Sequence, residues 1–254
     1  MVIGVPGWWN DRQRRALQDA AQVAGLNCLQ LINELTACAL ELGIRKDRLL
    51  DKESELVCFF DMGDTQTQCA VMRYSKGKLE VLGYGYDHHL GGRNFTAAIA
   101  EHFRQEWKGK YKIDVASNAR AMLRTTEACQ NLKHTLSANA HGNVNLDCLL
   151  NDKDVSGKLE RDKFVEMVRP LLEQILLPVQ RALDMAGVKK EEIGSIEVVG
   201  DSHRIPAISE KLNSFFGKHP SKRTNATEVV AKGAAWQCAR RSPVFKVGRR
   251  PRAT

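Results

Sequence analysis

Long apolar runs are missing from this chain: no stretch approaches the roughly eighteen residues a bilayer-spanning helix needs. The opening MVIGVPGWWNDRQRR is too short in its apolar part and too quickly charged for a secretory leader, so the expectation is a soluble, unexported chain, with the cytosol as its compartment. Cys-x-x-Cys is missing as well. The seven cysteines, Cys28, Cys38, Cys58, Cys69, Cys129, Cys148 and Cys238, stand singly within apolar segments. An odd number of unpaired positions argues against a disulfide framework or a zinc site and for reduced, buried thiols. The histidines form no H-x-x-x-H. His88-His89 is their one doublet, read as a turn without a metal role. No repeat of short period is found.

Negative charge is in short supply, with 38 Lys and Arg against 30 Asp and Glu and a formal net charge of +8. Much of that excess lies in the terminal RRSPVFKVGRRPRAT, and the body is only mildly basic. Arg240, Arg241, Arg249, Arg250 and Arg252 read as a solvated, frayed end in preference to a polybasic patch, so neither nucleic acid nor membrane is an expected partner. What is present in quantity is apolar material. At 43% hydrophobic over 254 residues, the chain can fill the core of one large domain or two modest ones.

The pattern starts with a strand, Val2 to Val5, stopped by Pro6, and a helix capped by Asn10 with Gln13 at the capping-box position. A strand over Cys28 to Ile32, a turn at Asn33-Glu34 and a helix over Thr36 to Leu42 follow, so strands alternate with helices that cover a sheet. After a polar connection at 45–55 come a hairpin, FFDMGDTQTQC, and a third strand, Leu79 to Tyr84, entered through a Lys76-Gly77 turn. Asn94 is placed to cap a helix carrying Phe95, Ile99, Phe103 and Trp107. A long helix spans 115–138, and Val144, Leu146 and Cys148 alternate as a strand. Pro170 and Pro178 interrupt the helical pattern after Glu160, with a hinge expected near 168–170. Ile193 to Val199 reads as a strand, Pro206 to Gly217 and Glu228 to Ala239 as helices, and Gly233 as a close-packing position.

Two strand-ending glycine turns, at Gly63 and Gly200, have the form of backbone clamps for a phosphorylated ligand, because N–H groups at such turns converge and glycine admits close approach. Ordinary tight turns share that form. Asp61, ending its strand, suits the water shell of Mg²⁺. Gln130, Lys133 and Ser137 share one helix face that can read a base and a sugar, or simply face solvent.

In order and spacing, INELTACAL at 32–40, DMG at 61–63, HLGGRNF at 89–95, LKHTLSAN at 132–139, GDSHRIP at 200–206 and EVVAKGAA at 228–235 resemble the nucleotide-binding domain of the seventy-kilodalton heat-shock chaperones. AGLNCLQLINE at 24–34, YKID at 111–114, LSAN at 136–139 and SPVFKV at 242–247 are most similar to the hundred-and-ten-kilodalton branch, whose members act chiefly as nucleotide exchange factors and holdases. The resemblance implies an α/β, actin-like (ribonuclease-H-like) ATPase fold of two lobes around an ATP cleft. Lobe I is expected to be incomplete: the family's first phosphate loop lies upstream of the matching region and its substrate-binding part downstream. Residues 1–50 would be the second half of the lobe I core, 51–90 the lobe II hairpin and strands, and 91–168 the peripheral part of lobe II, swinging near Gly91 and Arg169. Residues 169–222 would be lobe II core with the adenosine loop, and 223–254 a helix returning to lobe I plus the basic tail.

Carried over, the resemblance makes Glu34 and Asp61 the acidic groups that organise magnesium and water. Gly63, Gly91 and Gly92 become phosphate-loop glycines, and Lys133 and Ser137 ribose and base contacts. Gly200, Ser202 and Arg204 form the adenosine loop, with Arg204 stacked on the base, and Pro6 and Arg14 the relay between lobes. The implied cofactor is ATP or ADP with Mg²⁺. The implied partners are a seventy-kilodalton heat-shock chaperone and, indirectly, unfolded polypeptides.

Family ATPases read D-x-G-G-G-T where this chain has Asp61-Met62-Gly63-Asp64-Thr65-Gln66, and G-G-S-T-R where it has Gly200-Asp201-Ser202-His203-Arg204. Gln130 and His134 replace a Glu and an Arg. A carboxylate about 4 Å from a phosphate costs about 1 kcal/mol in water and about 4 kcal/mol at a protein-like dielectric. The expectation is therefore a co-chaperone with weakened nucleotide binding and little or no hydrolysis. The alternatives are an ATPase completed by further sequence, or a non-functional fragment.

Overall fold

A computed structural model describes residues 1–46, 54–75, 78–221, 225–242 and 252–253. The Lys76-Gly77 turn, most of the polar connection at 45–55 and most of the basic tail lie outside the described residues.

β1 (Val2–Val5) pairs in parallel with β2 (Gln30–Asn33), and α1 (Asp11–Val23) joins them. The capping box forms as its sequence requires: Gln13 N–H donates to Asn10 Oδ1 and Asn10 N–H to Gln13 Oε1, each at 3.0 Å. β2 begins two residues later than expected and runs directly into α2 (Glu34–Lys46). Glu34 is thus not in a turn but in the first helical turn, where the helix dipole favours a carboxylate.

β3 (Ser54–Met62), β4 (Thr67–Ser75) and β5 (Lys78–Asp87) form the expected antiparallel meander. A later strand, β8 (Ser195–Val199), adds in parallel to the outer edge of β3, and β9 (Arg252–Ala253) pairs with β5, giving the order β8-β3-β4-β5-β9. β3 is apolar without alternation because both of its faces are covered. Cys58, Phe60 and Met62 point into one core, while Val57 and Phe59 point into a second beneath α2.

The first core is roofed by α3 (Gly92–Tyr111) and α4 (Ala119–Ala138). Phe95, Ile99, Phe103 and Trp107 are fully buried on one face of α3, as their spacing predicts. The helix starts at Gly92, however, and Asn94 acts from its third position, its Oδ1 accepting from Gly91 N–H at 2.8 Å. The helix expected over 115–138 is two pieces, a 3-10 turn at Val115–Ser117 and then α4 capped by Asn118. β6 (His141–Leu150) carries a register shift after Leu146, and Cys148 has φ +45°, so the alternation breaks there: Leu149 is buried and Cys148 exposed. Its partner β7 (Lys153–Glu160) escaped the sequence reading, because Lys, Asp and Ser dominate a strand wet on one face.

α5 (Arg161–Met167), α6 (Arg169–Gln174) and α7 (Leu176–Ala186) break at Val168, as expected, and at Ile175. Pro178 does not interrupt α7; it lies in the first turn, where a missing N–H costs nothing. α8 (Pro206–Phe216) ends at Gly217, and α9 (Val229–Arg241) crosses back onto α2. A Cβ on Gly233 would sit 1.9 Å from the Ala37 carbonyl oxygen, so glycine is what lets these helices touch. All seven cysteines are free, but Cys28 and Cys238 are only half-buried and Cys148 is exposed, which corrects the expectation that all are buried. Among the described residues no helix is long and apolar enough to cross a membrane.

Candidate functional site

β3 and β8 run parallel with Asp61 level with Val199, so both strands release their chains at the same edge of the sheet. Gly63 and Gly200 therefore start neighbouring loops. Gly200 has φ +77°, and a Cβ there would lie 2.4 Å from the Met62 carbonyl oxygen and 2.6 Å from Asp61 Oδ1, so no other residue fits. A third loop, Gly91-Gly92, docks on the hairpin. Gly92 N–H donates to Gly63 O at 3.0 Å, Arg93 N–H to Asp64 O at 2.9 Å, and Ser202 Oγ to Gly63 O at 2.8 Å. The chain's own hydrogen bonds hold the three loops together.

The acidic pair lies behind them. Gln68, directly opposite Asp61 in the β3–β4 register and fully buried, spends both amide hydrogens on the two carboxylates. Its Nε2 donates to Glu34 Oε2 at 2.6 Å and to Asp61 Oδ2 at 2.8 Å, while its Oε1 accepts from Tyr84 OH at 2.8 Å. Burial pushes the Asp61 carboxyl up to about 6, a rise that the Gln68 bond opposes and the Glu34 charge adds to. Glu34 is raised too, again by burial against the same amide bond. Sequence reasoning missed Gln68. The signal was a lone amide in an otherwise apolar strand, at the hairpin position facing Asp61.

Glu34 and Asp61 are hard oxygen donors, and Asp61 Oδ1 faces the Gly200 turn. Two carboxylates fit an ion that keeps most of its water, as Mg²⁺ does, and among the described residues no group of three His, Cys, Asp or Glu forms a protein-only cage.

Lys133 comes to the loops rather than to a solvent-facing helix side. It is buried, and its Nζ donates to Gly92 O at 2.9 Å. Burial lowers its pKa and the Asp64 charge opposes that. Ser137, one turn on, donates to Lys133 O at 3.0 Å and lines a cavity of about 350 Å³ with Arg161, Phe164, Arg169, Ile205 and Pro206. Gln130 stays exposed on the same helix. Arg204 does not stand ready for a base: its Nε is 3.1 Å from Asp201 Oδ1, in an ion pair open to solvent. Asp201 is correspondingly turned onto a cation of its own loop. Pro6 and Arg14 do meet, since Arg14 Nη2 donates to Pro6 O at 3.3 Å and to Asn33 Oδ1, beside Glu34, at 2.8 Å. Of the expected residues, then, Gly63, Gly91, Gly92, Gly200, Ser202, Asp61 and Lys133 converge, with Glu34 joined through Gln68. Ser137 stands one turn away.

Residues 1–249 match the family model described as Hsp70 protein. Similar proteins include rat "Heat shock 70 kDa protein 4", 45% identical over 249 residues, and human "Heat shock 70 kDa protein 4L", 46% identical over 249 residues. Another is Arabidopsis thaliana "Heat shock 70 kDa protein 14", 43% identical over 245 residues. The alignments cover 96–97% of this chain and 30% of each relative, so the chain spans under a third of their length. With sheets and helices arranged as described, the fold is the α/β, actin-like one, and the chain belongs to the Hsp70 protein family.

Proposed function

We propose that this chain works as a co-chaperone: a nucleotide-binding fold of the Hsp70 family that hydrolyses ATP slowly or not at all. It acts in the cytosol by binding a seventy-kilodalton heat-shock chaperone, as exchange factor or holdase, and reaches unfolded polypeptides through that partner. Any ATP or ADP would sit with Mg²⁺ against the Gly63, Gly91 and Gly200 loops, weakly. The observation that carries this reading is Gln68. Glu34 and Asp61 each give one carboxylate oxygen to the same Gln68 nitrogen, which fixes the pair and takes up part of the acceptor capacity that aligning and deprotonating a water would use. Asp64 adds negative charge where a family ATPase has glycine, whereas Asp201, the corresponding change in the other loop, is paired with Arg204.

Release of a fluorescent ADP analogue from a purified seventy-kilodalton chaperone tests the proposal. Adding this chain should speed release by about tenfold or more, the scale of an ordinary coupling free energy. Unchanged release together with steady Mg-ATP turnover by the chain itself would overturn it.

A further inference from the structure

We propose that α9 and the open edge of β1 form a self-association surface. The partner it takes is a second copy of this chain, docked as an antiparallel pair of α9 helices about a twofold axis.

The surface is an open groove of about 880 Å³ between β1 and α9. One wall is β1, which among the described residues pairs only with β2, so its other edge presents backbone groups without a strand to receive them. The other wall is α9, which lies so close that a Cβ on Gly4 would come within 2.8 Å of Val230 Cγ1. Residues 1–4 and α9 line the groove with apolar and small side chains, and among the described residues no charged side chain lines it. Ala231 and Ala235 stand exposed in it. Contiguous apolar exposure of this kind marks a surface that meets another polypeptide.

Self-complementarity picks the occupant. From α9 the groove receives Val230, Ala231, Ala234, Ala235, Cys238 and Ala239. Reversing the helix about the midpoint of Ala234 and Ala235 maps this set onto itself: Val230 falls level with Ala239 of the other copy, Ala231 with Cys238, and Ala234 with Ala235. A reversed α9 laid in the groove therefore offers the residues that line it, and each copy fills the groove of the other, as an isologous contact requires. The same reversal brings Glu228, which starts α9 in an exposed pair with Lys232, level with Arg241 at the basic end of the other helix. It also opposes the two helix dipoles. Because the groove itself carries no charged side chain, two chains of net charge +8 can meet there without like charges facing. The 13 residues of α9 span about 20 Å, which makes a contact at the small end of stable interfaces and a weak, concentration-dependent dimer.

Sedimentation velocity on the full chain across about 1–100 μM tests this, and monomer should pass into dimer over that range. Ala231→Arg and Ala235→Arg each place a charge in the groove at an exposed position. Each should weaken association by about tenfold or more while leaving the thermal melt of the monomer unchanged. The register has its own readout. In Ala231→Cys, oxidised glutathione should link the new thiol to Cys238 of the other copy, giving a covalent dimer that Ala231→Cys/Cys238→Ser does not form. Within one copy these positions are about 10 Å apart along the helix, too far to bridge. A monomer over the whole range, or a dimer that both arginine variants leave intact, overturns the second copy as occupant of the groove. A dimer that the arginine variants break but that forms no link to Cys238 overturns the antiparallel pairing.

Discussion

The two faces of the central sheet share strands but not support. On one face, Cys58, Phe60, Met62, Cys69 and Val71 pack into a continuous core with α3, α4, α7 and α8, closed by fully buried Phe103 and Trp107 stacked at 5.3 Å. On the other, Val57, Phe59, Met72 and Tyr74 meet α2, and α9 and the β1–β2 pair lie beyond it. There α1 buries only Ala21 and leaves Val23 90% exposed, although its capping box is complete. A good local helix signal therefore does not supply a surface to pack on; the thin face depends on a few close contacts and the thick face on bulk.

The largest effect should come from the thick face. Trp107→Ala removes a buried indole and its hydrogen bond to Ser156 O at 3.1 Å, and should cost about 3–5 kcal/mol in urea unfolding. Gly233→Ala comes next. Its new methyl meets the Ala37 backbone, which cannot rotate away, so α2 and α9 must part at a cost of about 2–3 kcal/mol. Limited proteolysis should then cut the β1–α9 region first and leave β3 to α8 protected. Cutting that is equal in both regions would mean that the two faces unfold as one unit, which would break the comparison.

Asp61 points to the thin face, toward Glu34 of α2, and the sign of its effect is fixed by burial. A carboxyl raised from 3.8 to about 6 in the folded chain favours folding while protonated, so that stability is present below about pH 4 and is lost as pH rises through 6. Wild type should therefore lose about 1–3 kcal/mol relative to Asp61→Asn between pH 4 and 7, the lower part of that range reflecting solvent at a half-buried group. Thermal melts of both proteins across this pH range check it, and parallel curves would refute the desolvated carboxylate.

The sequence already carried most of the architecture, because the strong signals are local: the Asn10 capping box, the α3 apolar spacing and the meander with its glycine turn. It also carried the loop glycines, whose role is steric. What it hid depends on contacts across the chain. Gln68 is an ordinary amide until the register sets it opposite Asp61 and α2 brings Glu34 to the same nitrogen. Asp201 read as a repulsive charge because its pairing with Arg204 is a matter of rotamers, not of composition. β7 was invisible because a strand with one wet face and charged ends matches no apolar period.

The smallest expected effect is the sharpest probe of the thin face. Val23 ends α1 with 90% of its surface exposed, and Leu26 and Leu29 follow it at 47% each. Changing Val23 to Ser removes apolar area that the fold as described does not bury, so stability should move by no more than about 0.5 kcal/mol. Burial of a valine side chain is worth about 1.5–3 kcal/mol, so the two cases separate cleanly. A loss near that larger value in the same urea titration would show that this side of α1 is covered in solution, and the contrast between the faces would then be one of partners rather than of packing.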